Sequence, residues 1–203
     1  MSGDREAPPQ TGSRSPAPGC ATVASSTPGR YRLCIMGSIV SIELLLDART
    51  EELVRADWMR LAAAGFSSMA GHPSPSNRPH ITLLVRRNLP PVAFTKVTTL
   101  LPMPIALAEP ITFRHGDRAV LARGVVPGEE LLALHQLIHD LAPAGDDLPH
   151  TRPGEWTPHV TLARRLPVES LADAVALLDG PRSALAVGLR RWDSLTATVT
   201  PLS

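Results

Sequence analysis

The sequence predicts a mixed fold of strands and helices built from two similar halves, and three observations predict it. Pro79-His80-Ile81-Thr82-Leu83 recurs as Pro158-His159-Val160-Thr161-Leu162. The similarity runs on past each copy, through Arg86-Arg87-Asn88-Leu89-Pro90 in the first case and Arg164-Arg165-Leu166-Pro167, one residue earlier, in the second. Each motif is also followed at nearly the same distance by an apolar strand beyond a helical stretch, at Ile105 and at Leu185. A lone His-x-Thr is expected in roughly one chain in two of this composition, but the five-residue pattern only about once per thousand such chains. Its double occurrence reads as an internal duplication, each half one copy of a strand, helix, strand unit with an added strand.

In chain order, residues 1 to about 30 are rich in Pro, Gly, Ser and Thr with almost no large apolar side chains. Such a composition cannot offset the entropy of ordering. The expected organisation is therefore a disordered tail over 1–35 and a single domain over 36–203, with Met36 an alternative start just before the first strand. From Ile39 to Leu46, Val40, Ile42, Leu44 and Leu46 alternate with Ser41 and Glu43, the period of a half-buried strand. Residues 48–64 follow as a helix with Val54, Trp58 and Leu61 on one face, stopped by Gly65. A Pro/Ser-rich loop over 71–79 delivers the first motif strand, 80–85. A short helix is expected over 92–101, then strands near 104–107, 111–114 and 119–126. The helix at 129–141 carries Leu131, Leu134, Ile138 and Leu141 at helical spacing. A second Pro-rich loop, 146–158, delivers the second motif strand, 159–163. A helix over 169–178 closed by Gly180-Pro181, and strands over 185–189 and 192–199, complete the chain.

Composition narrows the function classes. The length allows one domain with an ordinary core. Net charge is +1, and Lys96 is the one lysine among 20 basic residues. That argues against an extended nucleic-acid surface, while arginine is the better side chain for bidentate phosphate recognition. Cys20 and Cys34 form no Cys-x-x-Cys pair and imply no disulfide scaffold. The longest apolar stretch, 33–46, carries Glu43 and is too short to span a bilayer. A cytoplasmic monomer with no membrane partner is the expectation.

The motif spacing carries chemistry. On a strand, residues two apart share a face about 6.6 Å apart, so His80 and Thr82 face one way, as do His159 and Thr161, with Ile81, Leu83, Val160 and Leu162 turned to the core. Related by a pseudo-twofold axis, the two faces converge on a central groove, with an imidazole on each side of one ligand and two hydroxyls between. In-line displacement at phosphorus needs such a pair, one group to take a proton from the attacking oxygen and one to give a proton to the leaving oxygen. Histidine does either near neutral pH. Threonine hydroxyls can donate to the non-bridging phosphate oxygens, and the scheme needs no metal or other cofactor.

The paired His-Ile-Thr-Leu and His-Val-Thr-Leu, each preceded by Pro, closely resemble the 2H phosphoesterase superfamily, in its branch of 2′-5′ RNA ligases and RNA 2′,3′-cyclic phosphodiesterases. The resemblance covers about residues 38–200. It implies a bilobal, pseudo-twofold α+β fold with one mainly antiparallel sheet and flanking helices per lobe, and metal-independent attack on RNA ends bearing a 2′,3′-cyclic phosphate. Carried over at matching positions, His80 would protonate the departing 3′ oxygen, His159 would activate water, and Thr82 and Thr161 would bind the phosphate. The product would be a 2′-phosphate, and the reverse reaction a 2′-5′ ligation. Pseudo-symmetry allows a substrate of opposite polarity to exchange the two histidine roles. Small cyclic nucleotides or related metabolites are the alternative substrates, and a groove that binds RNA ends or nucleotides without turnover is the alternative of another class.

Further candidates for substrate binding are Arg78 and Asn77 before the first motif, Arg86 after it, Arg164 and Arg165 in the matching place of the second half, and Arg123 on its strand with Leu121. For Arg78, Asn77 and Arg86 a solvated strand end is the better reading. Trp156 beside the second motif could stack on a nucleobase or pack in the core or at the rim. His72 and His150 stand in the two Pro-rich loops, and His115 is a weaker groove candidate. His135 and His139, spaced i, i+4, match a zinc pair but lack a third ligand and the adjacent Glu.

Overall fold

The structure, a computed structural model, describes residues 38–74 and 76–202; the tail expected over 1–35 lies outside them. The elements are β1 Val40–Leu46, α1 Ala48–Ala63, β2 His80–Arg86, α2 Thr95–Thr98, β3 Met103–His115, β4 Arg118–Val125, α3 Glu129–Leu141, β5 His159–Pro167, α4 Leu171–Ala176, β6 Arg182–Asp193 and β7 Thr198–Leu202. The fold is α+β, and every strand pairing is antiparallel.

Strand order is β2-β1-β6-β3-β4-β5, with β7 on β6. The third strand of each half has crossed to the other half: β6 lies beside β1, and β3 beside β4. The two three-stranded groups are joined where β3 pairs β6 antiparallel from Met103↔Ala186 to Leu107↔Arg182. The two expected sheets are thus hydrogen-bonded into one path. Its end strands, β2 and β5, are the motif strands, and they come back side by side.

The helices cross over as well. α1 is started by Asp47, whose carboxylate accepts from Thr50 N–H at 3.3 Å, and stopped by Gly65 at φ 80°, a conformation glycine adopts without steric cost. Its buried face, Thr50, Val54, Asp57, Trp58 and Leu61, lies on the second half: Trp58 Nε1–H donates to the Thr161 carbonyl of β5 at 3.0 Å. α3 buries Leu131, Leu134, His135 and Ile138 and lies on the first half, where His139 Nε2 reaches the Leu83 carbonyl of β2 at 3.3 Å. Each motif strand is held from behind by the helix of the other half.

Several boundaries differ from expectation for local reasons. The helix expected over 92–101 shrinks to Thr95–Thr98, because Thr98 and Thr99 turn their hydroxyls onto the Thr95 and Lys96 carbonyls and compete with the helical ladder. The helix over 169–178 divides into a 3-10 turn, Val168–Ser170, and α4. The strands expected at 104–107 and 111–114 are one strand, β3, whose register slips between Leu107 and Pro110, as a residue without an N–H demands. β6 runs unbroken through Arg190-Arg191, because Arg190 finds a buried partner described below.

Candidate active site

The two ladders carry the same irregularity. Between β1 and β2 the pairing passes from Ile42↔Leu84 to Glu43↔Thr82; between β4 and β5 it passes from Leu121↔Ala163 to Ala122↔Thr161. An extra residue, Leu83 or Leu162, is unpaired in each, a β-bulge that resets which side chains face out. The groove between the strands is therefore lined by His80, Thr82 and Val85 from β2 and by His159, Thr161 and Arg164 from β5, within a space of about 360 Å³.

The proline before each histidine has a visible consequence. Pro79 and Pro158 hold the preceding residue extended, and the carbonyl two residues before each histidine meets its ring: Arg78 O lies 2.7 Å from His80 Nδ1 and Thr157 O lies 2.7 Å from His159 Nδ1. A carbonyl only accepts, so Nδ1 carries the hydrogen in both rings. Nε2 is left free to take or give a proton.

Burial pulls the pKa of both histidines below the ordinary value, and Arg164, close to both, acts in the same direction. For His80 the Glu43 carboxylate and the Arg78 carbonyl push the other way, while Arg190 adds to the lowering. For His159 only the Thr157 carbonyl opposes burial, and His150 and His80 lower it further. Both rings therefore favour the neutral form more than an ordinary histidine does. Phe113 of β3 stands against His159, ring centroids 4.8 Å apart.

The four motif residues meet in one groove, but four other candidates lead elsewhere. Arg123 is fully buried and pairs with Asp57 of α1 at 2.8 Å, so it holds helix to sheet and reaches no substrate. Arg86 is buried on Asp147 and the Pro143 carbonyl. Arg78 pairs with Glu51 of α1. Trp156 does not stand at the mouth: its ring stacks on His135 with centroids 3.9 Å apart, and Nε1–H donates to the Thr82 carbonyl at 2.9 Å. The pair His135 and His139 belongs to the same interior network, with His135 Nε2 3.1 Å from Thr151 O and His139 Nδ1 3.0 Å from Asp147. His115 lies exposed at the end of β3, away from the groove, whereas His72 and His150 line it, as does Asn77.

Of the paired arginines, Arg164 is the one in the groove, and its guanidinium has no hydrogen-bond or ion-pair partner among the described residues. The bulge makes the useful spacing from each histidine i+2 and i+5. Sequence reasoning missed Glu43 and Arg190, which also line the groove and form a buried pair at 2.6 Å. The only signals were a glutamate at an alternation point of an apolar strand and an arginine pair inside a β-pattern.

Two histidines, each with a threonine two residues on, facing each other from matched strands of a duplicated α+β fold define a 2H phosphoesterase. Residues 51–203 match the family model of the 2′-5′ RNA ligase superfamily, and the protein belongs to that superfamily. Among solved structures it is similar to Usb1 of Kluyveromyces marxianus, at 12% identity over 81% of this chain and 96% of that chain with a TM-score of 0.43. It is also similar to E. coli LigT complexed with 3′-AMP, at 20% identity over 81% of this chain and 94% of that chain with a TM-score of 0.46. No curated protein matches it significantly.

Proposed function

We propose that the protein hydrolyses 2′,3′-cyclic phosphate ends of RNA to 2′-phosphates, with the two histidines as its acid and base and no call on a metal. Water attacks phosphorus opposite the 3′ oxygen and gives its proton to His159 Nε2. The P–O3′ bond breaks as His80 Nε2–H passes its proton to O3′, leaving a 3′ hydroxyl and a 2′-phosphate. Thr82, Thr161 and Arg164 donate to the non-bridging oxygens, where charge accumulates. Run in the same direction with a 5′ hydroxyl in place of water, the same steps make a 2′-5′ bond and release the 3′ hydroxyl. The observation that carries this reading is the matched pair of Nδ1–H to carbonyl bonds, which leaves two free Nε2 atoms at one groove.

The test is an RNA ending in 2′,3′-cyclic phosphate, with the product's phosphate located by mass spectrometry and by sensitivity to 2′- or 3′-specific enzymes. His80→Ala and His159→Ala should each lose about 10²–10⁴-fold in kcat with the circular dichroism spectrum unchanged. Wild-type turnover in either variant would overturn its role. A groove of about 360 Å³ with one unpaired arginine sits at the small end of ligand sites and favours a second substrate, mononucleoside 2′,3′-cyclic phosphates. Comparing kcat/KM for a mononucleotide and an oligonucleotide decides between them.

A further inference from the structure

The two halves agree in histidine, threonine, proline and bulge, and they disagree beneath the first histidine. Glu43 of β1 stands opposite Thr82, and Arg190 of β6 stands opposite Glu43. At the matching positions of the second half, Ala122 of β4 stands opposite Thr161, and Ile111 of β3 opposite Ala122. One half fills this place with a carboxylate and a guanidinium, the other with two apolar side chains.

The charged pair is built in. Glu43 and Arg190 are 4% and 6% exposed. Ser41 Oγ donates to Glu43 Oε1 and Arg190 Nε to Oε2, both at 2.6 Å, and Arg190 Nη1 donates to the Ser76 carbonyl at 3.0 Å. Glu43 Oε1 lies 3.6 Å from His80 Nε2, while Arg190 Nη2 is 3.3 Å from Nδ1, whose hydrogen is already committed to Arg78 O. Taking an ion pair out of water costs about as much as it returns, and an apolar pair of similar volume is often as stable or more so. The second half does without charge at the same place, with the smaller Ala122 and Ile111, so the repeat itself does not require an ion pair there.

We propose that Glu43, held by Arg190 and Ser41, is a positioning residue that keeps His80 the proton donor of the pair and so fixes which way round the cyclic phosphate binds. This rests on the functional reading above. Position alone would let either histidine serve as acid; a carboxylate beside only one Nε2 breaks the tie, because an anion there favours the protonated ring. The charged and titratable groups facing His80 are Glu43 from β1, Arg190 from β6, and Arg164 and His159 from β5. His150 bears on His159 and His72 lines the same groove. Glu43 is the one anion among them, and its removal leaves every remaining charge opposed to protonation of His80.

The experiment is an NMR titration of ¹⁵N-histidine-labelled protein, without substrate, alongside pH profiles of kcat/KM on a 2′,3′-cyclic phosphate. Glu43→Gln should move the His80 titration to lower pH and leave His159 in place. Glu43→Gln/Arg190→Met, which leaves no buried unpaired charge if the single variant folds poorly, should place His80 between the single variant and wild type. In the rate profile the alkaline limb, which reports the acid, should move to lower pH while the acidic limb stays. An unmoved His80 titration in a folded variant would overturn the proposal, and so would movement of the acidic limb, which would make His80 the base. Because the titration needs no substrate, absence of turnover in wild type would overturn the functional reading while the coupling of Glu43 to His80 is still decided.

Discussion

Val85 and Arg164 occupy matched positions five residues after their histidines, and only one of them can hold an anion. The groove's unpaired positive charge therefore lies on the β5 side, next to His159, while the Glu43–Arg190 pair, with the carboxylate toward Nε2, lies beside His80. A cyclic phosphate presenting its non-bridging oxygens to Arg164 would be drawn toward β5, with the leaving oxygen toward His80. Arg164→Ala should then lose one charge-assisted hydrogen bond, about 1.5–3 kcal/mol, or roughly 10- to 150-fold in kcat/KM by the tenfold per 1.36 kcal/mol rule. It should also let both histidines titrate at higher pH, since Arg164 lowers both. Steady-state kinetics together with the histidine NMR titration read the two effects; unchanged kinetics would place Arg164 outside the phosphate site. The motif histidines and threonines were legible because a five-residue repeat is rare. Arg164 was legible only as one of several arginines, because its direction depends on a bulge that leaves no mark in composition.

At the scale of elements, the strands that show an unbroken apolar alternation were legible and those interrupted by charge or proline were not. β1 keeps the alternation from Val40 to Leu44, and β2 keeps it from His80 up to the bulge at Leu83. β3 and β6 were each read as two pieces because Pro110 and Arg190-Arg191 break the pattern, and both interruptions have their explanation on another strand: the register slip against β4, and Glu43 of β1. The partners of Trp58 and Trp156 were equally unreadable, since each acts on the half to which it does not belong in the repeat. Trp58 bonds the Thr161 carbonyl and Trp156 the Thr82 carbonyl, so each motif threonine is fixed from behind by an indole. Trp58→Phe and Trp156→Phe keep most of the packing and remove the donor. Each should cost about 1–3 kcal/mol in urea unfolding, the range for a buried acceptor left unsatisfied, and should lower kcat more than it changes KM, because the threonine hydroxyl loses its aim. Full stability and activity in both would show that the strands hold the threonines unaided.

The whole molecule is two repeats that have exchanged helices and third strands. The duplication was legible in the spacing of the motifs; the exchange was not, because nothing in one repeat states which partner its apolar face will meet. Beside the shared apolar core, buried polar groups hold the exchange together. Arg123 and Asp57 pin α1 to β4, and on the other side His135, His139, Asp147, Arg86 and Trp156 pin α3 and the loop before β5 to β2. This second cluster makes the fold sensitive to acid in a defined way. Burial, and then the neighbouring His139, push the pKa of His135 down to about 4, while in the unfolded chain it titrates at about 6.5. Above that value neither state binds the proton and His135 contributes no slope. As pH falls from about 6.5 to about 4, the unfolded chain takes up a proton that the folded protein refuses, so stability declines by at most about 1.4 kcal/mol per pH unit for this one group. Burial raises the Asp147 carboxyl, but Arg86 and His139 outweigh it and hold it low, so its contribution is lost only further down, as pH falls below the ordinary carboxylate range. His80 and His159 are also lowered and add their own slope to the wild-type curve, which is why the test is a difference. Urea unfolding of wild type and His135→Gln, compared at half-unit steps from pH 7.5 to 4.5, should give curves that run parallel above about pH 6.5 and converge below it, the wild type losing its advantage. Curves that stay parallel throughout would mean that His135 takes up its proton without disturbing the network, and that the acid sensitivity of the fold lies in the groove histidines instead.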